Sequence, residues 1–431
     1  MVNPPKLEQY QYDMERCIHC GGCRWVDHIY TPGVRFGVKC PSIARFEFDE
    51  YSAYGRLEIA LALLKGELDY SPRFVDAVFQ CQLCGACDAG CKRNLDLEPL
   101  LVLETLRARC VAAGQAPLPA HKKVAENITK SHNRYGSPRE NRLKWLTKDI
   151  KPAEKADVCY FVGCASSYTA TNIAQATARI LQATGTQFML LGSEEWCCGH
   201  PLYVTGQVDA FVKQMEHNLE ALKKSGASTV LVSCAEGYKT WKVDYPKVLG
   251  KSTADMGFKV VHVVEYVDQL LKDGKLKFDN PVELKLTYHD SCNLGRLSEP
   301  WIHWEGKRVK YGCLEPPKEY RRGTYGIYQP PRDILSAIPG VELVEMYRMK
   351  ENTWCCGAGG GVRDSNKEFA LWTAQDRLEE AKAVGAEAIV SACPYCRENF
   401  SEAIKNRGEK LKSYDITELI AKAMKVKGGT R

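Results

Sequence analysis

The chain has 431 residues, of which 45% are hydrophobic and 26% are charged, and 20 of them are cysteines. A chain of this length and composition is expected to be globular, with a sizeable core divided over two or three domains. The formal net charge of +6 is, taken alone, only a weak sign of a nucleic acid or of an acidic partner surface.

The sequence predicts no transmembrane helix. The longest apolar runs, such as IALALLKG, are broken by charge within ten residues, whereas a membrane-crossing helix needs roughly 20 apolar residues. The start MVNPPKLEQYQYDME lacks a basic segment followed by an apolar stretch, so no secretory signal is expected. We therefore expect a cytoplasmic protein. In that reducing compartment, 20 cysteines indicate metal ligation or redox chemistry rather than disulfides.

Two cysteine runs near the N-terminus have the spacing of iron–sulfur ligands. Residues 17–23 read CIHCGGC and residues 81–91 read CQLCGACDAGC. Two intervening residues let three thiolates from one tight turn converge on a face of a cubane cluster. Paired CxxC motifs also bind structural zinc, but the CxxCxxC triple favours iron–sulfur. Cys40 is followed by Pro41, and a Cys-Pro pair usually ends such a motif.

The two runs predict two cubane [4Fe-4S] clusters. In two-cluster ferredoxins the fourth cysteine of each run ligates the other cluster. The predicted ligand sets are therefore Cys17, Cys20, Cys23 and Cys91 for one cubane, and Cys81, Cys84, Cys87 and Cys40 for the other. A cubane held by four thiolates carries about −2. Bound clusters would thus offset the positive formal charge, and no nucleic-acid partner is expected.

Apolar residues at helical spacing follow each of these cysteine segments. They occur in 50–68 and in 95–114, which predicts a helical two-cluster ferredoxin domain over residues 1–115. Residues 116–155 are polar and proline-containing, and they are interpreted as a linker. Cys110 lies late in the second predicted helix and is expected to be a buried apolar residue rather than a ligand.

The remainder of the chain repeats one pattern of strands and helices. The apolar strand patterns ADVCYFVG, TQFMLLG and STVLVSC alternate with helical patterns, and VELKLTYHD, VELVEMY and EAIVSAC return in the same order. This predicts an α/β fold in which two Rossmann-like lobes with parallel sheets, residues 156–280 and 281–431, are related by a pseudo-twofold axis.

Each predicted lobe carries a matching set of cysteines at the ends of its strands. The segments are GCASS, EEWCCGHP and SCAEG in the first lobe, and HDSCN, NTWCCGAGG and SACPYC in the second. The cysteines are Cys164, Cys197, Cys198 and Cys234 in the first lobe, and Cys292, Cys355, Cys356, Cys393 and Cys396 in the second. Because the loops after parallel strands form the binding crevice, these thiols are expected to converge. The GAGGG segment follows a cysteine pair and lacks the context of a dinucleotide fingerprint, so no nucleotide site is expected.

The two cysteine sets differ in two respects. CPYC in the second lobe corresponds to CAEG in the first, so that Gly237 stands where the last thiol would be. Four thiols leave open a cubane, a depleted cluster or no cluster. The interval between the lone cysteine and the vicinal pair is 32 residues in the first lobe and 62 in the second. The additional segment, near residues 297–326, is aromatic and basic, and it is expected to shield a cluster or dock a partner.

Three cysteines and two histidines remain outside these sets. Cys110, Cys159 and Cys313 have no place in any motif. His200 and His289 lie beside the first CCG segment and ahead of Cys292, where each can hydrogen-bond a ligand. A structural role is the first expectation for both histidines.

The cysteine pattern resembles the cysteine-rich CCG domain of heterodisulfide reductase and its relatives, whose motif is a lone Cys, then CCG, then CxxC. The resemblance covers nearly the whole chain and implies a noncubane [4Fe-4S] cluster held by Cys292, Cys355, Cys356, Cys393 and Cys396. The segments HDSCNLGR, PRDIL and TWCCGAGGGVR resemble fused reductase-like subunits of larger complexes. Such complexes include class II benzoyl-CoA reductase and the membrane complex associated with dissimilatory sulfite reductase.

The resemblance favours an electron-transfer subunit of a multisubunit oxidoreductase. It implies that electrons pass between the two cubanes and the noncubane cluster, with flavin or iron–sulfur subunits as partners. The alternative is a catalytic disulfide or thiol oxidoreductase, a heterodisulfide reductase, acting at the noncubane cluster. In that family two such clusters act together on the S–S bond, so Gly237 counts against the alternative. A zinc-bearing scaffold is a third hypothesis, and it predicts a colourless protein.

Overall fold

The computed structural model of the chain describes residues 5–26, 31, 33–302, 304–319 and 321–424, and the side chains of 93 and 94 lie outside this description. The first part of the chain is helical. Its helices are α1 (Gln11–Glu15), α2 (Pro41–Phe46), α3 (Ala53–Lys65), α4 (Pro72–Phe79), α5 (Ala86–Asn94), α6 (Pro99–Ala112) and α7 (Pro119–Ser131).

Local signals define where several of these helices begin. Ser52 and Ser71 cap α3 and α4 by accepting hydrogen bonds from the backbone amides of Gly55 and Phe74. Proline occupies the first position of α2, α4, α6 and α7, where its missing N–H costs no hydrogen bond. Leu57, Val78 and Leu106 pack a small apolar core between α3, α4 and α6, and Cys110 is buried in the same core.

The segment interpreted as a linker contains a helix. Helix α7 spans 13 residues of it, and its His121 and Ile128 are buried. A 3-10 helix follows at Arg139–Leu143. The polar composition concealed this helix because most of its other side chains face outward. The imidazole Nε2 of His121 lies 2.9 Å from the carbonyl oxygen of Gly361, so the segment packs against the second lobe.

The first lobe is a parallel sheet with helices. Its strands are β1 (Val158–Phe161), β2 (Phe188–Met189), β3 (Thr229–Val232) and β4 (Lys259–His262), in the order β2-β1-β3-β4. Its helices are α8 (Cys164–Tyr168), α9 (Thr171–Ala183), α10 (His200–Tyr203), α11 (Val208–Ser225), α12 (Ala235–Lys239), α13 (Tyr245–Leu249) and α14 (Val263–Lys272), with a π-helix at Thr240–Asp244 between α12 and α13. Strands β1 to β3 were predicted. Strand β4 was missed.

The second lobe repeats this topology. Its sheet has β5 (Leu284–Tyr288) as first strand, and a separate hairpin of β6 (Lys307–Arg308) and β7 (Leu314–Glu315) follows. The later sheet strands are β8 (Val341–Leu343), β9 (Ala388–Ser391) and β10 (Lys412–Asp415), in the order β10-β9-β5-β8. Its helices are α15 (Gln329–Ala337), α16 (Val362–Ser365), α17 (Lys367–Ala383), α18 (Pro394–Arg407) and α19 (Ile416–Ala423). Read in chain order, both sheets have the strand order 2-1-3-4, as the predicted repeat requires.

The two lobes share one apolar core. Residues from β1 and β3 of the first sheet and from β5 and β9 of the second belong to one cluster of buried side chains. The two parallel sheets and the helical N-terminal part confirm the predicted α/β class. The exact domain limits stay a prediction. Among the described residues, none of the helices combines the length and the apolar character that a membrane span requires.

The inserted segment of the second lobe packs on the N-terminal helices. The hairpin β6–β7 lies within it, and the Arg308 guanidinium is 3.6 Å from the centre of the Tyr12 ring. Farther along, the Lys318 ammonium is 2.9 Å from a carboxylate oxygen of Glu98. The insertion therefore joins the second lobe to the ferredoxin-like part. Tyr311 at its tip is 88% exposed.

Candidate metal centres

The first cysteine run forms what we call the outer site, Cys17, Cys20, Cys23 and Cys91. These four cysteines line one cavity together with Tyr54, Leu57 and Leu97. Gly21 lies between them with φ of 76°, a left-handed conformation that lets the chain turn tightly around the cavity. Cys20 is exposed, whereas Cys23 is buried. The outer site thus reaches the protein surface.

The second cysteine run forms what we call the inner site, Cys40, Cys81, Cys84 and Cys87. These thiols line a second cavity with Arg56, Leu100 and Leu103. Cys40 immediately precedes α2, and Gly85 starts α5 with φ of 70°. Cys84 and Cys87 are buried. The structure therefore groups the eight thiols in the two sets that the sequence predicts, with Cys40 and Cys91 exchanged between the runs.

The five cysteines of the second lobe form what we call the CCG site. Cys292 follows β5, the pair Cys355 and Cys356 precedes Gly357, and Cys393 and Cys396 lie at the start of α18. All five are buried. Hydrogen bonds between thiols join Cys355 to Cys292 and Cys356, and Cys396 to Cys356 and Cys393. The sulfurs of Cys356 and Cys396 and a nitrogen of His289 lie within 4.8 Å of one another.

Thiol contacts continue from the CCG site into both neighbouring sites. Cys355 is hydrogen-bonded to Cys84 of the inner site, and Cys393 is hydrogen-bonded to Cys234 of the first lobe. Hydrogen bonding to Cys355 lowers the pKa of Cys84 to about 6 and raises the pKa of Cys355 itself. A continuous line of sulfur atoms thus runs from the inner site through the CCG site to the first lobe.

The pKa values of the CCG thiols follow their hydrogen bonds. Thiols that donate, Cys355 and Cys396, have raised pKa values. The pKa of Cys356 is lowered because Cys355 and Cys396 donate to it. Burial opposes ionisation of Cys393, but hydrogen bonds from Cys234 and Cys396 outweigh burial and lower its pKa. The fold therefore stabilises thiolates at the CCG site, and thiolates are the form that binds metal.

Glycines of the GAGGG segment permit the close approach of the inner and CCG sites. A Cβ on Gly360 would lie 2.4 Å from the carbonyl oxygen of Cys81, and φ at this residue is 62°. Neither the distance nor the conformation suits a larger residue. The sequence excluded a nucleotide-binding role for this segment. Its actual role, a contact between the second lobe and the inner-site loop, has no local sequence signal.

The first lobe holds a cavity lined by Cys164, Cys197, Cys198 and Cys234. Glu236, Gly237 and Tyr395 line it as well. The nearest atom to a Cβ on Gly237 would be the Cβ of Cys234, at 3.9 Å, so the position has room for a side chain. Cys197 is hydrogen-bonded to Cys164 and to Cys198, whereas Cys234 bonds to Cys393 of the other lobe. Three of the four thiols thus group together and the fourth turns to the CCG site.

Several groups next to these thiols are buried and polar. His289 is hydrogen-bonded to Cys356, and its Nδ1 lies 3.3 Å from the Arg377 guanidinium. His200 lies 3.3 Å from the Thr240 hydroxyl and does not contact a cysteine among the described residues. Burial raises the pKa of Glu236, and the thiols of the CCG site reinforce the shift. Of the two predicted histidines, His289 is therefore the one next to the thiols.

Three arginines beside the inner site were missed by the sequence analysis. Arg56, Arg107 and Arg296 are almost fully buried. Burial lowers the pKa of Arg107 to about 10, which still leaves it charged near neutral pH. No motif marks these arginines, because they lie on α3, on α6 and in the loop after β5, far apart in sequence.

Iron–sulfur clusters fit the outer, inner and CCG sites by the chemistry of their donors. Each of these sites presents four or five thiols in a cavity or cluster of largely apolar side chains. Soft thiolate donors select iron–sulfur clusters or zinc over harder cations. Cys110, Cys159 and Cys313 lie outside all of the sites; the first two are buried in apolar cores and the third is exposed.

Two family models match the regions just described. The 4Fe-4S dicluster domain matches residues 13–95, and the cysteine-rich CCG domain matches residues 158–237 and 286–401. Among solved structures, a hypothetical protein from Helicobacter pylori aligns with a TM-score of 0.52 over 86% of this chain and 68% of its own, at 11% identity. This likeness concerns the fold alone.

Curated relatives match over almost the whole chain. The HdrD-type polypeptide of dihydromethanophenazine:CoB–CoM heterodisulfide reductase from Methanosarcina mazei is 34% identical over 96% of this chain and 94% of its own length. A probable iron–sulfur-binding oxidoreductase, FadF, from Bacillus subtilis is 27% identical over 97% of this chain and 61% of its own length. These matches confirm the resemblance drawn from the cysteine motifs. The chain belongs to the HdrD-like family of heterodisulfide reductase iron–sulfur proteins.

Proposed function

We propose that the chain relays electrons from a redox partner through the outer and inner sites to the CCG site. The contact between the thiols of Cys84 and Cys355 carries this proposal. It joins a predicted ligand of the inner cubane directly to a predicted ligand of the second-lobe cluster. Such a contact has no purpose in a scaffold whose metal centres act separately.

The exposure of the sites supports an order along this path. Cys20 of the outer site is exposed, Cys84 and Cys87 of the inner site are buried, and the CCG thiols are all buried. A protein partner can approach the outer site, whereas the other two lie inside the fold. Electrons are therefore expected to enter at the outer site.

The chain supplies the surroundings that make transfer between the sites efficient. When bound, [4Fe-4S] clusters gain and lose single electrons. Leu83, Leu100, Leu103, Val204 and Leu297 form an apolar cluster around Cys84, Cys292 and Cys355. These side chains exclude water from the junction between the inner and CCG sites. Hydrogen bonds and burial around the thiols then set the potentials.

The cofactors that we propose are two cubanes and one noncubane [4Fe-4S] cluster. The cubanes are assigned to the outer and inner sites, and the noncubane cluster to the five thiols of the CCG site. In the first lobe, Gly237 leaves four thiols, one of which is turned to Cys393. We therefore assign no cluster to the first lobe.

Iron and sulfide analysis of protein purified without oxygen tests this assignment. Three four-iron clusters give about 12 Fe per chain, and a further cluster in the first lobe would give about 16. A matched control is Cys313→Ala, because this exposed cysteine belongs to no site and its removal should leave the iron content unchanged. Protein that binds zinc and no iron would contradict the proposal.

A second candidate function is reduction of a disulfide at the CCG site. The hydrogen bond between Cys234 and Cys393 places the first-lobe cavity against that site, and the relative from M. mazei is named a heterodisulfide reductase. Gly237 opposes this function, because the second thiol set is incomplete. Each disulfide would take up two electrons and two protons and release two thiols.

Turnover with an artificial electron donor separates the two candidates. The relay predicts rapid reduction of the clusters by reduced methyl viologen without release of thiols from a mixed disulfide of two small thiols. Release of two thiols per disulfide consumed, at a rate that matches donor oxidation, would favour the catalytic function instead.

A further inference from the structure

Three buried arginines surround the inner site without acidic partners. Arg56, Arg107 and Arg296 are 1%, 0% and 4% exposed, and in the described part of the chain none of them forms an ion pair with a carboxylate. The other buried arginines do: Arg142 with Glu195, Arg179 with Asp149, Arg332 with Asp290, and Arg348 and Arg377 with Glu380. Since an unpaired buried charge is strongly unfavourable, the three exceptions require an explanation.

The three guanidinium groups converge on the backbone that carries the inner-site thiols. Arg107 donates to the carbonyl of Cys81 at 2.7 Å, and Arg296 donates to the carbonyl of Cys84 at 2.6 Å. Arg56 lines the inner cavity and donates to the carbonyl of Gln80 at 2.9 Å. These neutral acceptors satisfy N–H groups, but they leave three positive charges next to one site.

Arg296 also faces the junction between the inner and CCG sites. Its guanidinium lies close enough to the thiols of Cys84, Cys292 and Cys355 for their charges to raise its pKa. Its Nη2 is buried and has no hydrogen-bond partner among the described residues. This nitrogen is therefore free to donate toward sulfur at the junction.

The charges around the outer site have mixed signs. Lys92 lies 2.8 Å from a carboxylate oxygen of Glu98 and 3.9 Å from one of Asp88. Glu58 lies near the thiol of Cys17, and Lys39 lies near the thiol of Cys23. The two sites, similar in their thiols, thus differ in the charge that the protein places beside them.

We propose that Arg56, Arg107 and Arg296 are the counter-charge of the inner cluster and raise its reduction potential above that of the outer cluster. This inference rests on the proposed function, because it assumes a cubane in each site. A cubane with four thiolates carries about −2, and reduction adds one more negative charge. Burial alone disfavours that added charge, whereas three guanidinium groups in a medium of low dielectric constant favour it.

The consequence is a direction for the first internal transfer. One electron leaves the outer cluster, which is thereby oxidised, and reduces the inner cluster by one electron. The electron is then held beside Cys355, at the entrance to the CCG site. The partner that reduces the outer cluster supplies each electron, so no other reductant is needed.

Redox titration of the oxygen-free holoprotein, followed by electron paramagnetic resonance, tests the proposal. The variants are Arg56→Gln and Arg296→Gln, which remove charge, and Arg56→Lys and Arg296→Lys, which retain it. Cys20→Ser alters the outer cluster and so identifies its signal. Arg179→Gln is the matched control, because Arg179 is buried but pairs with Asp149 in the first lobe.

In wild-type protein the inner cluster should be reduced at a higher potential than the outer one. Each glutamine variant should lower the reduction equilibrium constant of the inner cluster about tenfold, which is about 59 mV for one electron. The outer cluster, the lysine variants and the Arg179 control should change by less than about threefold.

An inner cluster with the lower potential in wild-type protein, or one unaffected by both glutamine variants, overturns the inference. Equal shifts of both cubanes would do the same. If one glutamine variant loses its iron, the other decides, since Arg56 and Arg296 lie on different parts of the fold. Absence of two cubane signals from wild-type protein would instead contradict the proposed function.

Discussion

At the residue scale, spacing identifies thiols well and identifies their neighbours poorly. The CxxCxxC runs and the CCG repeats predicted all seventeen cysteines that line the four thiol sites. Spacing works for them because ligands of one cluster come from one turn or from the ends of adjacent strands. Arg296 and Gly360 were missed because their roles depend on contacts between distant parts of the chain.

Gly360 provides a test at this scale. Gly360→Ala should destabilise the protein by about 1–3 kcal/mol more than Gly385→Ala, because overpacking forces the backbone to shift. Both glycines have positive φ, but the nearest atom to a Cβ on Gly385 is a Lys285 side-chain carbon at 3.8 Å. Thermal unfolding without oxygen measures the difference. Equal loss of stability in both variants would show that the approach of Cys81 is not a constraint.

At the element scale, long amphipathic helices were predicted and short edge strands were not. Helices α9, α11 and α17 have a helical pattern in the sequence, and the structure has them. Strands β4 and β10 are four residues each, at the edges of their sheets. Each runs directly into a helix that begins with apolar residues, so that the strand pattern merges with the helical one. Tertiary pairing, and not local pattern, defines these strands.

The junction of β10 and α19 predicts a pH dependence. Asp415 caps α19 by accepting from the amide and hydroxyl of Thr417, and burial raises its pKa from 3.8 to about 7. The folded state therefore binds a proton more tightly than the unfolded state. Between pH of about 7 and 4, stability should rise as pH falls, by at most about 1.4 kcal/mol per pH unit.

Asp415→Asn is the matched variant, since asparagine caps helices as well as aspartate does but does not titrate. Melting temperatures of wild-type and variant protein should be compared at pH 8, 7 and 6 without oxygen. The variant should be the more stable at pH 8, and its advantage should shrink as the pH falls. A constant difference across this range would contradict the raised pKa of Asp415.

At the scale of the whole molecule, the repeat was predictable and the way its parts join was not. Duplicated cysteine segments predicted two lobes with one strand order. The contacts of Cys84 with Cys355 and of Cys234 with Cys393 link three regions that no sequence pattern relates. The insertion shows the same limit: its composition indicated a surface role, but not its packing on Tyr12 and Glu98.

The order of the sites predicts how removal of the outer cluster affects the whole. In a Cys20→Ala, Cys23→Ala variant, a reduced two-cluster ferredoxin should reduce the CCG site at least tenfold more slowly than in wild type, because a protein donor reaches only the outer site. Dithionite, which is small, should still reduce the CCG site. Stopped-flow absorbance measures both rates. Unchanged reduction by the ferredoxin would place electron entry elsewhere, and Cys313→Ala is the control.

The exposure of Cys20 has a consequence for survival in air. Molecular oxygen reaches the surface-facing cubane before the two buried centres, so oxidative damage should begin there. Loss of that cubane disconnects the donor from the interior while the deeper centres are still intact. Electrons then stop entering a damaged molecule, and less superoxide is formed from centres that oxygen has begun to attack.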